Sequence, residues 1–268
     1  MTVSPVERQY ILSQIGKLAE QDLATLWARA AALPSNEFRA FIIEAFPELV
    51  DPFAAQAAEA AAAWYDETPS TTLYVPEPGP LPVALALQES ATWALGADGI
   101  EGLSRLQGTT QRAVFDAARD TVLHNIESEP GARWARHASA NACAFCAMMA
   151  TRGAVYTSKA AAESVVGRGK EMSLQERRIR AAGGSRIDGR MAAGGVKARG
   201  EQKLKTKYHD HCHCIAVEVR PGQSYEPPDY VREWEKAYVA ASREAPKSGD
   251  ALDPTAILSH MRASLGTH

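Results

Sequence analysis

The sequence predicts a mostly helical α+β fold, with a helical N-terminal region joined to a smaller domain that carries a short antiparallel sheet. Three observations predict it. Apolar residues recur at helical spacing through the first third of the chain. β-Rich runs are short and few, chiefly Ala132 to His137 and Cys214 to Val219. All four cysteines fall in two tight pairs, Cys143/Cys146 and Cys212/Cys214.

The first helix is read from Tyr10, Ile11, Ile15, Leu18, Leu23, Leu26 and Trp27, and Pro34 ends it. Ser35 or Asn36 caps the next, whose stripe is Phe38, Phe41, Ile42 and Phe46. Pro47 or Pro52 is then expected to open a separate Ala-rich helix reaching Trp64 and Tyr65. Thr68 to Pro82 carries five prolines and reads as an extended linker. Beyond it Thr109 or Thr110 is the expected cap of a helix that presents Val114, Ala118, Val122 and Ile126 on one face. Pro130-Gly131 stops that helix, and a strand over Ala132 to His137 follows. Asn141 is expected to cap a short helix running through Met149 to a stop at Gly153, which places Cys143 in its first turn. Gly167 to Gly200 reads as a long mobile loop with one helix around Ser173 to Ala182. A strand over Cys214 to Val219, a helix from about Asp229 to Arg243 and a short helix opened by Pro254 complete the chain, with a fraying tail.

With 268 residues and 46% hydrophobic content, the chain can bury a core and form one or two domains. No stretch reaches the ~20 apolar residues of a membrane helix. The beginning of the sequence lacks a basic segment followed by an apolar one, so no signal peptide is expected. Four cysteines are too few for a secreted disulfide scaffold of this length, and in a reducing cytoplasm clustered cysteines bind metal or do redox chemistry.

The densest chemistry is Cys143-Ala-Phe-Cys146, a gap of 62 residues, then His209-Asp-His211-Cys212-His213-Cys214. A Cys-x2-Cys step lets two thiolates reach one ion from a single turn. Alternation along a strand puts Cys212 and Cys214 on one face. Two thiolates from each element can make a tetrahedral soft site, and soft ligands favour Zn²⁺ over Mg²⁺ or Ca²⁺. The ligands are Cys143, Cys146, Cys212 and Cys214, or three of these with His209 or His211. Four protein ligands leave no position for water, so the zinc would be structural and staple the domain. The competing readings are buried unmetallated thiols, a disulfide, or catalytic thiol chemistry.

Net charge is −3, yet Val165 to Tyr208 holds twelve Lys/Arg against four Asp/Glu, leaving the remainder strongly acidic. This segment, through Arg177, Arg178, Arg180, Lys203, Lys205 and Lys207, is a candidate contact for nucleic acid or an acidic protein surface. The bland alternative is a solvated loop; with few aromatics interleaved, no base-stacking platform is expected. Trp27, Trp64, Trp93 and Trp134 are expected in cores, His124 and His137 are read as ordinary, and Ser139 lacks a nucleophile elbow.

A zinc deaminase is excluded because His137 is followed by Ala-Ser-Ala-Asn-Ala, without the required Glu or Pro. His209-Asp-His211 resembles the core of zinc-stapled phage HNH endonucleases, although the second cysteine pair is Cys-x-Cys here and no Asn trails it.

Arg133-Trp-Ala-Arg, the run Asn141-Ala-Cys-Ala-Phe-Cys-Ala-Met-Met-Ala-Thr-Arg-Gly-Ala-Val-Tyr156, and Tyr208-His-Asp-His-Cys-His-Cys-Ile-Ala-Val217 together resemble the phage Mu protein F-like minor capsid (head morphogenesis) proteins, in the form found in phages of actinobacteria. His209, Cys212 and Cys214 match that family's second element, with Asp210 where a Pro is usual. The resemblance covers about a third of the chain. It implies a non-enzymatic minor capsid protein of a tailed phage, made in the host cytoplasm and carried in the virion, in the head interior or portal region. It would act in head assembly, DNA packaging or ejection beside the portal or major capsid protein, without a membrane. Similar proteins are also described as capsid maturation proteases, which is the first alternative; a nuclease is the second. The expected division is residues 1–67 helical, 68–82 linker, 83–222 the Mu F-like domain with the metal site and the basic loop 165–208, and 223–268 a helical tail.

Overall fold

The computed structural model describes residues 2–97, 99–157, 168–194, 212–248 and 251–267. Two compact units emerge, and neither is continuous in sequence. One comprises residues 1–67, 75–125 and 208–213; the other comprises 68–74, 126–207 and 214–268.

The first unit is built from α1 (Pro5–Ala30), α2 (Ser35–Glu67), α3 (Ala84–Ala94) and most of α4 (Gly99–Ser128). A capping box starts α1: the Ser4 amide donates to Glu7 Oε2 at 2.8 Å while the Glu7 amide donates to Ser4 Oγ at 3.3 Å. Leu12, Ile15, Ala19 and Leu23 form its buried stripe, spaced by three and four residues. Helix α2 does not break at Pro47 or Pro52 as its sequence suggests, but runs through both. Each proline forfeits a backbone bond, at about 3 kcal/mol for an interior position. Burial of Phe46, Pro47, Val50 and Ala54 on one side holds the helix together across them. Leu23, Ile42, Phe46, Val50, Leu87, Ala91, Leu95 and Leu106 share one core cluster.

Helix α4 starts ten residues earlier than Thr109. Thr109 and Thr110 are interior and donate back to the Arg105 and Leu106 carbonyls, at 3.1 and 2.9 Å. Satisfied in this way, a threonine need not cap. The expected face holds, since Val114, Ala118, Val122 and Ile126 are all buried. The extended stretch at 75–83 lies along α4: Asn125 exchanges two hydrogen bonds with the Glu77 backbone, and the Gly79 amide donates to Thr121 Oγ1 at 2.9 Å. A Cβ on Gly79 would sit 2.7 Å from Thr121 Cα, so the approach requires glycine. Trp64 is buried and Trp27 half-buried, but Trp93 is 57% exposed, with the Arg105 guanidinium 5.0 Å from its ring centroid. That cation–π contact replaces the expected core packing.

The second unit is organised on β1 (Arg133–His137) and β4 (Ile215–Val219). They pair antiparallel, from Arg133 opposite Val219 to His137 opposite Ile215. Tyr156 bridges to Trp134 on the other edge of β1. Helix α5 (Ala144–Ala150) packs against β1, α6 (Leu174–Ala181) follows it in the chain, and α7 (Val231–Glu244) and α8 (Pro254–Leu265) pack on α5 and on each other. Two further two-residue hairpins, β2 (Arg186–Ile187) with β3 (Arg190–Met191) and β5 (Lys247–Ser248) with β6 (Ala251–Leu252), complete the strands. Residues 168–194 hold α6, the one helix expected around Ser173 to Ala182, and also the first hairpin, which the sequence reading did not foresee. Ser173 and Glu176 form a capping box at the start of α6. Asp188 and Gly189, both at positive φ, make the two-residue turn that suits a twisted hairpin.

Segment 68–74 is clasped to this unit. Arg220 donates to both Glu129 oxygens at 3.0 and 3.2 Å and to the Thr68 and Tyr74 carbonyls. Ser70 and Thr72 bond the same carboxylate. The C-terminal helix is packed through Ile257, Leu258 and Met261, so the helical part of the tail does not fray. Among the described residues, no helix is long and apolar enough to cross a membrane.

Candidate metal centre

All four cysteines are buried. Cys146 sits within α5, inside the second unit. Cys214 leads into β4 of the same unit, and Cys212 precedes it by two residues. Antiparallel partners share a face, so Arg136, opposite Ala216, lies on the side that Cys214 shares with Ala216. Arg136 Nη1 donates to Cys146 Sγ at 3.4 Å. The Sγ atoms of Cys146, Cys212 and Cys214 lie within 4.8 Å of one another. Sulfurs sharing a tetrahedral zinc at about 2.3 Å stand roughly 3.8 Å apart, so this spacing fits one ion. Soft donors, burial and a guanidinium that favours anionic sulfur all suit a thiolate-binding metal.

His213, between the two cysteines, faces away from them. Its ring stacks on Phe115 with centroids 5.3 Å apart and its Nε2 meets the Gln111 amide. Its carbonyl accepts from Gln9 Nε2 at 2.7 Å, and the Cys212 carbonyl accepts from Arg119 Nη2 at 2.6 Å. The backbone carrying Cys212 is therefore held at two successive carbonyls. Arg136, Arg119 and Gln111 escaped the sequence reading. For Arg136 the signal was present: it occupies an alternate position on β1, an arginine in a strand that buries four of its five residues. For Arg119 and Gln111 nothing in the sequence links helix α4 to the cysteines.

Cys143 is placed differently from expectation. It is the N-cap of α5, one residue before the helix, with its carbonyl accepting from the Ala147 amide at 2.9 Å. It does not belong to the mutually close group of three thiols. Asn141 is thus not the cap, because the turn at 139–142 places the start of the helix two residues later. His209 and His211 lie outside the described residues, as do Lys203, Lys205 and Lys207. Of the other basic candidates, Arg178 is exposed, Arg177 pairs with Glu235 Oε2 at 2.5 Å, and Arg180 is buried with Nη2 donating to the Ala192 carbonyl.

On the opposite face of β1, His137 Nδ1 meets the Tyr225 hydroxyl at 2.8 Å. Burial pushes the His137 imidazole down to about 4 and raises the Tyr225 phenol, so a neutral pair fills that side.

A mostly helical α+β protein with a small antiparallel sheet, and with a buried thiol cluster able to hold a metal ion, is the class that fold and site define. The chain belongs to the VG15 protein family, whose model matches residues 5–241 and which is a family of viral (phage) proteins. No curated protein and no solved structure matches it.

Proposed function

We propose that this chain is a minor capsid protein of a tailed phage that acts in head assembly, DNA packaging or ejection, and that its thiol cluster binds a structural zinc ion. The observation that carries the reading is the convergence of three buried thiols from distant parts of the chain in a member of a phage protein family. It joins the two sequence elements, Cys-x2-Cys and His-x2-Cys-x-Cys, on which the resemblance to Mu protein F-like proteins rests. Cys146, Cys212 and Cys214 supply three ligands, and Cys143 or His209 supplies the fourth. A fourth protein ligand leaves no site for a reactive water, so the ion holds structure and does no chemistry.

In this role the protein docks on the portal or major capsid protein and travels in the head interior or portal region. The basic segment meets phage DNA or an acidic surface there through exposed Arg178 and through Lys203, Lys205 and Lys207. Mass spectrometry of purified, nuclease-treated particles tests the assignment. The chain is expected in the particle at a low copy number relative to the major capsid protein. Finding it only in the host lysate, with particles complete and infectious in its absence, would overturn it.

A further inference from the structure

Helix α6, the irregular stretch at 225–228 and the start of α7 border a cleft of about 200 Å³. Arg177, Arg178, Arg180 and Arg232 line it, against a single acidic lining residue, Glu226. Two of these arginines have carboxylate partners: Arg177 meets Glu235 at 2.5 Å and Arg232 meets Asp229 at 3.3 Å. Arg180 has none. Its side chain is 8% exposed, its Nη2 donates to the Ala192 carbonyl, and its buried Nε has no hydrogen-bond partner among the described residues. A buried guanidinium with an unused donor is costly unless an acceptor completes it. Burial, together with the positive charges of Arg168 and Arg152, outweighs Tyr156 and Glu176 and pushes Arg180 down to about 10. Exposed Arg178 stands on the same cleft and doubles the donor set.

The remaining lining narrows the ligand. Met172, Leu174, Pro228 and Val231 give the cleft an apolar wall. Sites for whole small molecules usually measure ~300–1,000 Å³, so this cleft suits a side chain and not a free metabolite. Phosphate contacts to a nucleic-acid backbone need exposed cations and no apolar wall.

We propose that this cleft receives a carboxylate side chain from an acidic peptide segment of a partner protein, with Arg178 and Arg180 as its donors and the apolar wall taking a neighbouring side chain. Guanidinium forks bind carboxylates through charge-assisted hydrogen bonds, and this geometry supplies one buried donor and one exposed one. The proposal refines the acidic-partner half of the reading above and is independent of the metal site.

The test uses the full chain labelled with ¹⁵N at arginine Nε, and follows the Arg180 Nε–H resonance, identified by its loss in Arg180→Lys. The probes are acetyl-Leu-Glu-Leu-amide, its Gln counterpart, and the dinucleotide thymidylyl-thymidine. The Glu peptide is expected to shift the Arg180 signal. Affinity is expected to fall at least about tenfold for the Gln peptide, and several-fold for the well-folded surface variant Arg178→Gln. Tighter binding of the dinucleotide at the same resonance would overturn the peptide assignment in favour of nucleic acid. No shift with either ligand at millimolar concentration would overturn the site itself, while leaving presence in the particle to be decided by its own experiment.

Discussion

In the first unit the buried surface is spread along long helices whose apolar stripes interlock, whereas in the second an apolar core of short elements also encloses paired charges and thiols. Leu12, Ile15, Leu23, Ile42, Phe46 and Val50 each supply a share of the helical core. In the second unit, Arg220 with Glu129 and Arg168 with Glu235 are ion pairs buried on both sides, and Cys146 and Cys214 supply two of the three close thiols. Area burial degrades gradually when trimmed. Buried charge fails abruptly when one partner is lost, because the other is left desolvated and unpaired. The second unit should therefore be the more sensitive to single substitutions, to acid and to chelators.

The largest expected effect is on Cys146→Ser. Structural zinc contributes on the order of 10 kcal/mol to folding in small domains, so loss of one ligand should release the metal and unfold the second unit. Hydrogen exchange should show protection lost over β1, α5 and β4 while α1 and α2 keep theirs. Equal loss in both units would break the contrast. Next is Glu129→Gln, which removes the buried charge opposite Arg220 and should cost about 3–5 kcal/mol in urea unfolding.

A smaller effect is set by pH. Burial opposes ionisation of Glu176, but the Ser173 and Ala193 amides and the Ser173 and Lys170 side chains overcome it, holding the carboxyl down to about 2. A carboxyl depressed on folding stabilises above its unfolded value and loses that contribution as pH falls through the folded one. Glu176 should thus contribute on the order of 1–3 kcal/mol near neutrality, lost between about pH 4.5 and 2. Comparing wild type with Glu176→Gln at pH 6 and pH 3 measures it; an unchanged difference would remove Glu176 from the account. The smallest effect is Ile42→Val in the first unit, at roughly 0.5–1.5 kcal/mol, with no change in metal content.

The same contrast governs what the sequence made visible. Helical stripes such as Val114, Ala118, Val122 and Ile126 were legible because period alone marks a buried face. The strand pair was legible too, through its β-rich composition, as was a helix around Ser173 to Ala182. The uninterrupted α2 was not, because packing across Pro47 and Pro52 is a tertiary effect that outweighs the local cost. Nor did the local sequence reveal that Trp93 lies under Arg105 instead of in the core. In the site, residue type and spacing singled out the cysteines. The donors Arg136 and Arg119 depend on strand pairing and helix placement, which spacing does not encode.

The central claim, a thiol-bound structural metal, is tested most directly by elemental analysis of full-length protein purified without chelator, paired with thiol titration before and after chelation. About one zinc per chain is expected, with Cys146, Cys212 and Cys214 unreactive until the metal is removed and the second unit then losing protection. Metal-free, folded protein with four freely titrating thiols would contradict it.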